Sequence, residues 1–264
     1  MSDQNSEVRL QARKIQEDLD KRDRKKSLLV RSGVVAVAVM VTGGITFAAV
    51  TSETTPVDDT IPDSGPAPAS ANTAGGFVYT SSVDVAEGDG LGTVQVDDAD
   101  GTSDIAGNYD GVGAAPHMVI YSDPSCPHCR SFEEDNAENI SEWLDNGDLT
   151  VEYRWVSYLN DDYSSRANNA IACMIEESPE DSLDYMHDVY DGSPGGGDDE
   201  LISLAEDYAD ISECVTEGEY RPFDAYVTAE AELIDMPGTP TVYVDGENWH
   251  DSGEDFIEFV DNRL

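Results

Sequence analysis

The chain reads as an α/β domain with a helical insertion, preceded by one N-terminal transmembrane helix. Three observations predict this. From His117 onward, segments of strand and helix type follow the order strand–helix–strand–helices–hairpin–helix. Two cysteines, Cys126 and Cys129, sit where the first of those strands meets the first of those helices. Far upstream, 21 uncharged residues follow a basic cluster.

Residues 1–31 form a mildly basic head. They hold nine of the 14 Lys and Arg residues, and no lysine occurs after Lys26. Helical periodicity of a charged kind, with Val8, Ile15 and Leu19 on one face, makes this a short solvated or membrane-surface helix. Residues 32–52 (SGVVAVAVMVTGGITFAAVTS) carry no charge. At ~1.5 Å per residue they span roughly 30 Å, the thickness of a bilayer's hydrocarbon core. Basic residues Lys21 to Lys26 and Arg31 precede the run, and the next basic residue after it is Arg130. The positive-inside rule then leaves the N-terminus in the cytoplasm and everything after residue 52 outside, as a single-pass anchor in the cell membrane. A cleaved signal peptide is the alternative. The long charged head and the lack of a clean small-residue cleavage site speak against it.

From residue 32 onward, five basic residues face 50 acidic ones. So acidic a body excludes nucleic acid as a partner, because phosphate binding needs clustered Lys and Arg. It predicts a solvated surface whose self-repulsion salt relieves. Carboxylate clusters also suit Ca²⁺, but no twelve-residue calcium loop is present and no metal site is assigned.

Residues 53–76 are rich in Pro, Ala, Ser, Thr and Asp. Such a segment buries too little apolar surface to offset its ordering entropy and reads as a disordered tether. The folded domain is expected over 77–264. Short strands are predicted at 77–80 and 94–96, with Gly- and Asp-rich turns around them and a mobile insertion at 97–113. A buried strand, 117–123, ends in the turn Asp123-Pro124-Ser125. A helix follows at 130–145 with Phe132, Ile140, Trp143 and Leu144 apolar, then a strand at 149–157. Helices are predicted at 163–177, 181–191, 199–209, 211–217 and 222–234, so the helical insertion covers about 160–235. A strand at 241–244, the turn pair Asp245-Gly246, a second strand at 247–250 and a helix over 253–263 complete the chain.

Cys126-Pro127-His128-Cys129 carries the chemistry. A cysteine at a helix N-terminus faces unpaired backbone N–H groups and the positive end of the helix dipole, which favour the thiolate. The thiolate is the reactive form and the better leaving group. Pro127 suits the first helical turn, where its missing N–H is not needed. His128 offers positive charge beside the sulfur. Cys129, one turn on, can close a small disulfide ring. Half of a zinc site looks the same, and a purely structural bridge is a further reading. No second C-x-x-C exists, and a location outside the cytoplasm favours disulfide chemistry. Cys173 and Cys214 complete an even count of four, which invites a structural disulfide between them. Buried free thiols, or a relay pair, are the alternatives. His117, His187 and His250 read as structural or solvated. Glu133 and Glu134 read as a solvated helix face, and Phe132, Trp143, Tyr153 and Trp155 as core.

Tyr121-Ser122-Asp123-Pro124-Ser125-Cys126-Pro127-His128-Cys129, together with Met236-Pro237-Gly238-Thr239-Pro240-Thr241 far downstream, resembles the DsbA-like branch of the thioredoxin superfamily. The resemblance covers about 113–264 and leaves 81–112 unexplained. It implies a thioredoxin-like fold in which Pro240 is cis and faces the cysteines. Thr239 would then offer backbone contacts to an extended substrate chain. The bland reading of Pro240 is an ordinary proline leading a strand. The resemblance further implies a thiol–disulfide oxidoreductase without a cofactor, which oxidises exported client proteins bearing free cysteines. A quinone-linked membrane reoxidant would regenerate it. The rivals are a reductase or isomerase of the same fold and a non-catalytic anchored scaffold module.

Overall fold

The computed structural model describes residues 61–101, 115–159, 162–192 and 196–264. The basic head, the membrane segment at 32–52, the first part of the linker and most of the insertion at 97–113 lie outside the described residues. Among the described residues no helix is long and apolar enough to cross a membrane.

A six-stranded sheet organises the domain. Its centre is β5 (His117–Ser122) and β6 (Thr150–Trp155), parallel neighbours joined through helix α1 (Pro127–Asn146). Parallel neighbours need such a crossover. β2 (Phe77–Ser81) lies antiparallel on the outer side of β6, with β3 (Asp84–Val85) beyond it. On the other side β7 (Thr241–Val244) runs antiparallel to β5, and β8 (Glu247–Asn248) pairs with β7. Between β6 and β7 the chain runs through α2 (Asp162–Glu177), α3 (Ser182–Asp191), α4 (Asp198–Ala205), α5 (Ser212–Glu217) and α6 (Arg221–Leu233). The short α7 (Trp249–Ser252) and α8 (Phe256–Asp261) close it.

Both faces of β5 and β6 are buried. The register pairs His117 with Thr150, Val119 with Glu152 and Tyr121 with Arg154, which puts these six on one face. Met118, Ile120, Ser122, Val151, Tyr153 and Trp155 share the other. Glu152 and Arg154 are each only 1 % exposed. They remain in the interior because every charge there has a partner. Arg154 donates to Glu152 and to the Tyr121 hydroxyl, and His117 meets Thr150 and the other Glu152 oxygen. These contacts hold the Glu152 carboxyl well below the usual range, to about 2, against its burial. Gly76 lies directly against that carboxylate. His117 is thus a structural residue of the sheet.

Several elements depart from expectation. Residues 61–76, predicted as part of the tether, are ordered chain. β1 (Ser64–Pro66) pairs antiparallel with β4 (Thr93–Gln95). Ala71 is fully buried, and Glu176 of α2 accepts from the backbone N–H groups of Ala69 and Ser70, both at 2.9 Å. The segment takes its order from partners elsewhere in the chain rather than from apolar residues of its own. The strand expected at 94–96 lies one residue earlier, and Val96–Asp98 form a 3-10 turn. The helix expected to 209 stops at Ala205. The second hairpin strand ends at Asn248, whose side chain accepts from the His250 N–H and starts α7.

Cys173 and Cys214 are joined in a disulfide that ties α2 to α5, with Cα atoms 6.0 Å apart. It closes a loop between residues 41 apart, for which chain entropy gives a stabilisation of about 4 kcal/mol. Cys173→Ser/Cys214→Ser is expected to lose stability of that order in denaturant unfolding while Cys126 keeps its thiol reactivity. An unchanged midpoint would show that the bridge leaves the unfolded chain unrestrained.

Candidate active site

β5 ends at Ser122 and the chain turns through Asp123, whose side chain is fully buried and holds the turn. It accepts from the Ser125 N–H at 2.8 Å, the Leu159 N–H at 2.9 Å and the Ser164 hydroxyl at 2.6 Å. Short acceptor side chains stabilise turns in this way. Cys126 follows as the N-cap residue of α1, with extended backbone angles (φ −78°, ψ 118°), and Pro127 is the first helical residue.

The two cysteines are free and chemically unequal. A hydrogen bond from Cys129 is the largest influence on Cys126. With a Thr239 side-chain contact and the backbone N–H groups of Cys129 and His128, it outweighs burial and lowers the Cys126 thiol to about 5. Cys129 is fully buried. Burial, and its hydrogen bond to Cys126, push its thiol up. The Asp123 N–H approaches its sulfur at 3.5 Å. The outer sulfur is therefore the anion and the inner one keeps its proton. His128 serves Cys126 through its backbone N–H, while its side chain is exposed beside the groove.

The Thr239–Pro240 peptide is cis. In the protonated state the Cys126 thiol donates to the Thr239 carbonyl at 3.3 Å, so the loop before β7 lies directly opposite the helix N-terminus. Gly238, at φ 146°, enters that loop in a conformation open to glycine, and the Thr241 hydroxyl closes it onto the Gly238 carbonyl. Beside the two motifs lies a groove of about 370 Å³ lined by His128, Ser131, Phe132, Thr239, Pro240 and Trp249, among others. Phe132, Trp249 and Phe256 pack edge to face or tilted behind it at 4.9–5.9 Å.

Glu133 corrects the solvated-face reading. It is 2 % exposed, and burial raises its carboxyl to about 8. Oε2 accepts from the Tyr153 hydroxyl at 3.1 Å and lies 3.8 Å from His187 Nε2. Oε1 is buried without a hydrogen-bond partner. The signal for this was in the sequence: Cys129, Glu133, Asn136, Ile140 and Leu144 recur at helical spacing, and all five are buried. Tyr190 bonds Ser122 at 2.6 Å, and its hydroxyl proton is held by burial and by the neighbouring Cys129 and Glu133.

The disulfide occupies Cys173 and Cys214, so neither can join Cys126 and Cys129 around a metal. Among the described residues no group of three or more His, Cys, Asp or Glu side chains is placed to hold a metal ion.

A family model described as Thioredoxin matches residues 104–262. No curated protein matches the chain. Among solved structures, the chain is similar to the MdbA protein of Corynebacterium diphtheriae, a thiol-disulfide oxidoreductase. The identity is 18 %, the TM-score 0.53, and the match covers 79 % of this chain and 97 % of that one. It is similar to the MdbA protein of Actinomyces oris, also a thiol-disulfide oxidoreductase, at 21 % identity and TM-score 0.51, covering 58 % of this chain and 81 % of the other. BdbD from Bacillus subtilis matches at 18 % identity and TM-score 0.50, over 59 % and 90 % of the two chains. At these identities the likeness is one of fold.

Proposed function

This chain belongs to the thioredoxin family, and from that premise we propose that it is a membrane-anchored thiol–disulfide oxidoreductase that oxidises cysteine pairs in exported proteins. One observation carries the reading: a low-pKa sulfur at a helix N-terminus, backed by a protonated buried one, faces a cis-proline loop and an open groove.

The residues support the following exchange. In the oxidised enzyme a client thiolate attacks Cys126 Sγ, the Cys126–Cys129 bond breaks, and its electron pair leaves on Cys129, which takes up a proton. A second client thiolate then attacks the client sulfur of the mixed disulfide. Cys126 leaves as the thiolate. The client has lost two electrons and the enzyme has gained them. Thr239 and Pro240 would line the extended client beside Cys126, with Pro127 and His128 setting the helix entrance. Because Cys126 is a good leaving group, the reduced enzyme is the favoured product, which makes the couple oxidising. The run at 32–52 would anchor the domain outside the cytoplasm. A quinone-linked membrane partner would take the electrons.

Equilibration with glutathione buffers tests the direction. The Cys126/Cys129 couple is expected above about −200 mV, among protein oxidants. A value near or below about −270 mV, that of a reductant such as thioredoxin, would reverse the assignment.

A further inference from the structure

We propose that His187, on helix α3 of the insertion, is the port through which the buried end of the active site exchanges protons with solvent, by way of Glu133. The inference rests on the thiol–disulfide reading of Cys126 and Cys129.

Each reduction of that pair must bring a proton to Cys129 and each reoxidation must remove it, yet Cys129 is 0 % exposed. A neighbouring side chain can carry that proton. Glu133 follows Cys129 by one helical turn on the same buried stripe. Its Oε1 has no hydrogen-bond partner, so one oxygen remains available. Tyr190 stands close enough to feel both Cys129 and Glu133. Tyr153 and Tyr190 hold their own protons firmly. His187 combines an approach to Glu133, 3.8 Å between Nε2 and Oε2, with a side chain that is 27 % exposed. One water, or a small side-chain movement, closes such a gap. Asp184, Asp188 and Asp191 of the same helix surround the imidazole and favour its charged form, while burial opposes it more strongly. The Tyr208 hydroxyl, from beyond α4, engages Asp188 at 2.7 Å.

The proton count closes. When client attack expels Cys129 as a thiolate, the Glu133 carboxyl gives it a proton. The neutral His187 imidazole takes a proton from water and passes it to the Glu133 carboxylate, which leaves the ring neutral again. Reoxidation runs the same transfers backward. His187 never touches the client, so it is a positioning and relay residue.

The test is single-turnover reduction of the oxidised full chain by excess dithiothreitol at pH 7, quenched and alkylated. His187→Ala is expected to slow reduction about a hundredfold, the low end for lost acid–base assistance, with an unchanged melting temperature. Added imidazole should restore most of the rate. Glu133→Gln should be slow and unmoved by imidazole, and His187→Gln slow like the alanine variant. An alanine variant as fast as the parent, or one that is slow, folded and indifferent to imidazole, overturns the port. A parent disulfide that dithiothreitol does not reduce would overturn the thiol–disulfide reading itself.

Discussion

Reduced protein titrated from pH 9 to pH 3 is expected to lose its thiolate absorbance near 240 nm with a midpoint near 5. Cys126→Ser should remove that signal and bring client oxidation down to the uncatalysed rate, whereas Cys129→Ser should keep a thiolate and accumulate mixed disulfides. The asymmetry follows from position. Cys126 caps a helix whose backbone N–H groups and Cys129 thiol all donate toward it, while Cys129 lies inside, where charge is penalised. The same titration has a consequence for stability. An unfolded thiol ionises near 9. Folding lowers Cys126 to about 5, so its stabilisation of the reduced form is complete above pH 9. It shrinks as pH falls from 9 and is gone below about 5. The disulfide form has no such group, so the melting temperatures of the two forms should converge on acidification. Glu133 works in the opposite sense in both forms. Its stabilisation is complete below about 4.5 and is lost as pH rises through about 8. A thiolate midpoint near 8 or 9 would end the claim that Cys126 is activated.

Salt should have the other large effect. Of the five arginines after residue 32, Arg154 lies in the core beside Glu152. Arg166, Arg221 and Arg263 are committed to Asp162 and Asp198, to Asp162, and to Glu247 and Glu254. Against 50 acidic residues, and with no lysine after Lys26, the sequence holds few cations to meet the surface carboxylates. The Debye length is about 10 Å at 0.1 M and about 3 Å at 1 M salt. Repulsion among neighbouring carboxylates should therefore fall sharply over that range. The melting temperature is expected to rise by at least about 10 °C between 0.1 and 2 M KCl. At about 2–4 °C per kcal/mol for a domain of this size, that corresponds to several kcal/mol. A melting temperature flat across the series would mean that the surface charge has no bearing on folding.

The chemistry-bearing part of this fold was legible because it is local. Cys126 to Cys129 lie between a strand and a helix that announce themselves by apolar pattern, and the Gly238-Thr239-Pro240 loop adds a second motif that the family resemblance places opposite them. The parts that escaped depend on partners distant in sequence. The stretch 64–70 has little to bury, and its order comes from Thr93–Gln95, which pair with Ser64–Pro66, and from Glu176, which holds Ala69 and Ser70. Glu133 looked solvated because it is a carboxylate. Its burial depends on Tyr153 and Tyr190 arriving from β6 and α3, although its place on the Cys129–Ile140 stripe was readable. His187 carried no signal at all, since its meaning lies in a contact between α1 and a helix of the insertion.

The buried ionic ladder on the sheet makes one small residue irreplaceable. A methyl group at Gly76 would collide with both the terminal oxygen and the methylene stem of Glu152, and that carboxylate cannot swing aside without abandoning Arg154 and His117. Even alanine there would set steric volume against an ion pair that has no water to retreat into. A lone hydrogen atom is the vacancy that lets this sheet keep a charge at its heart.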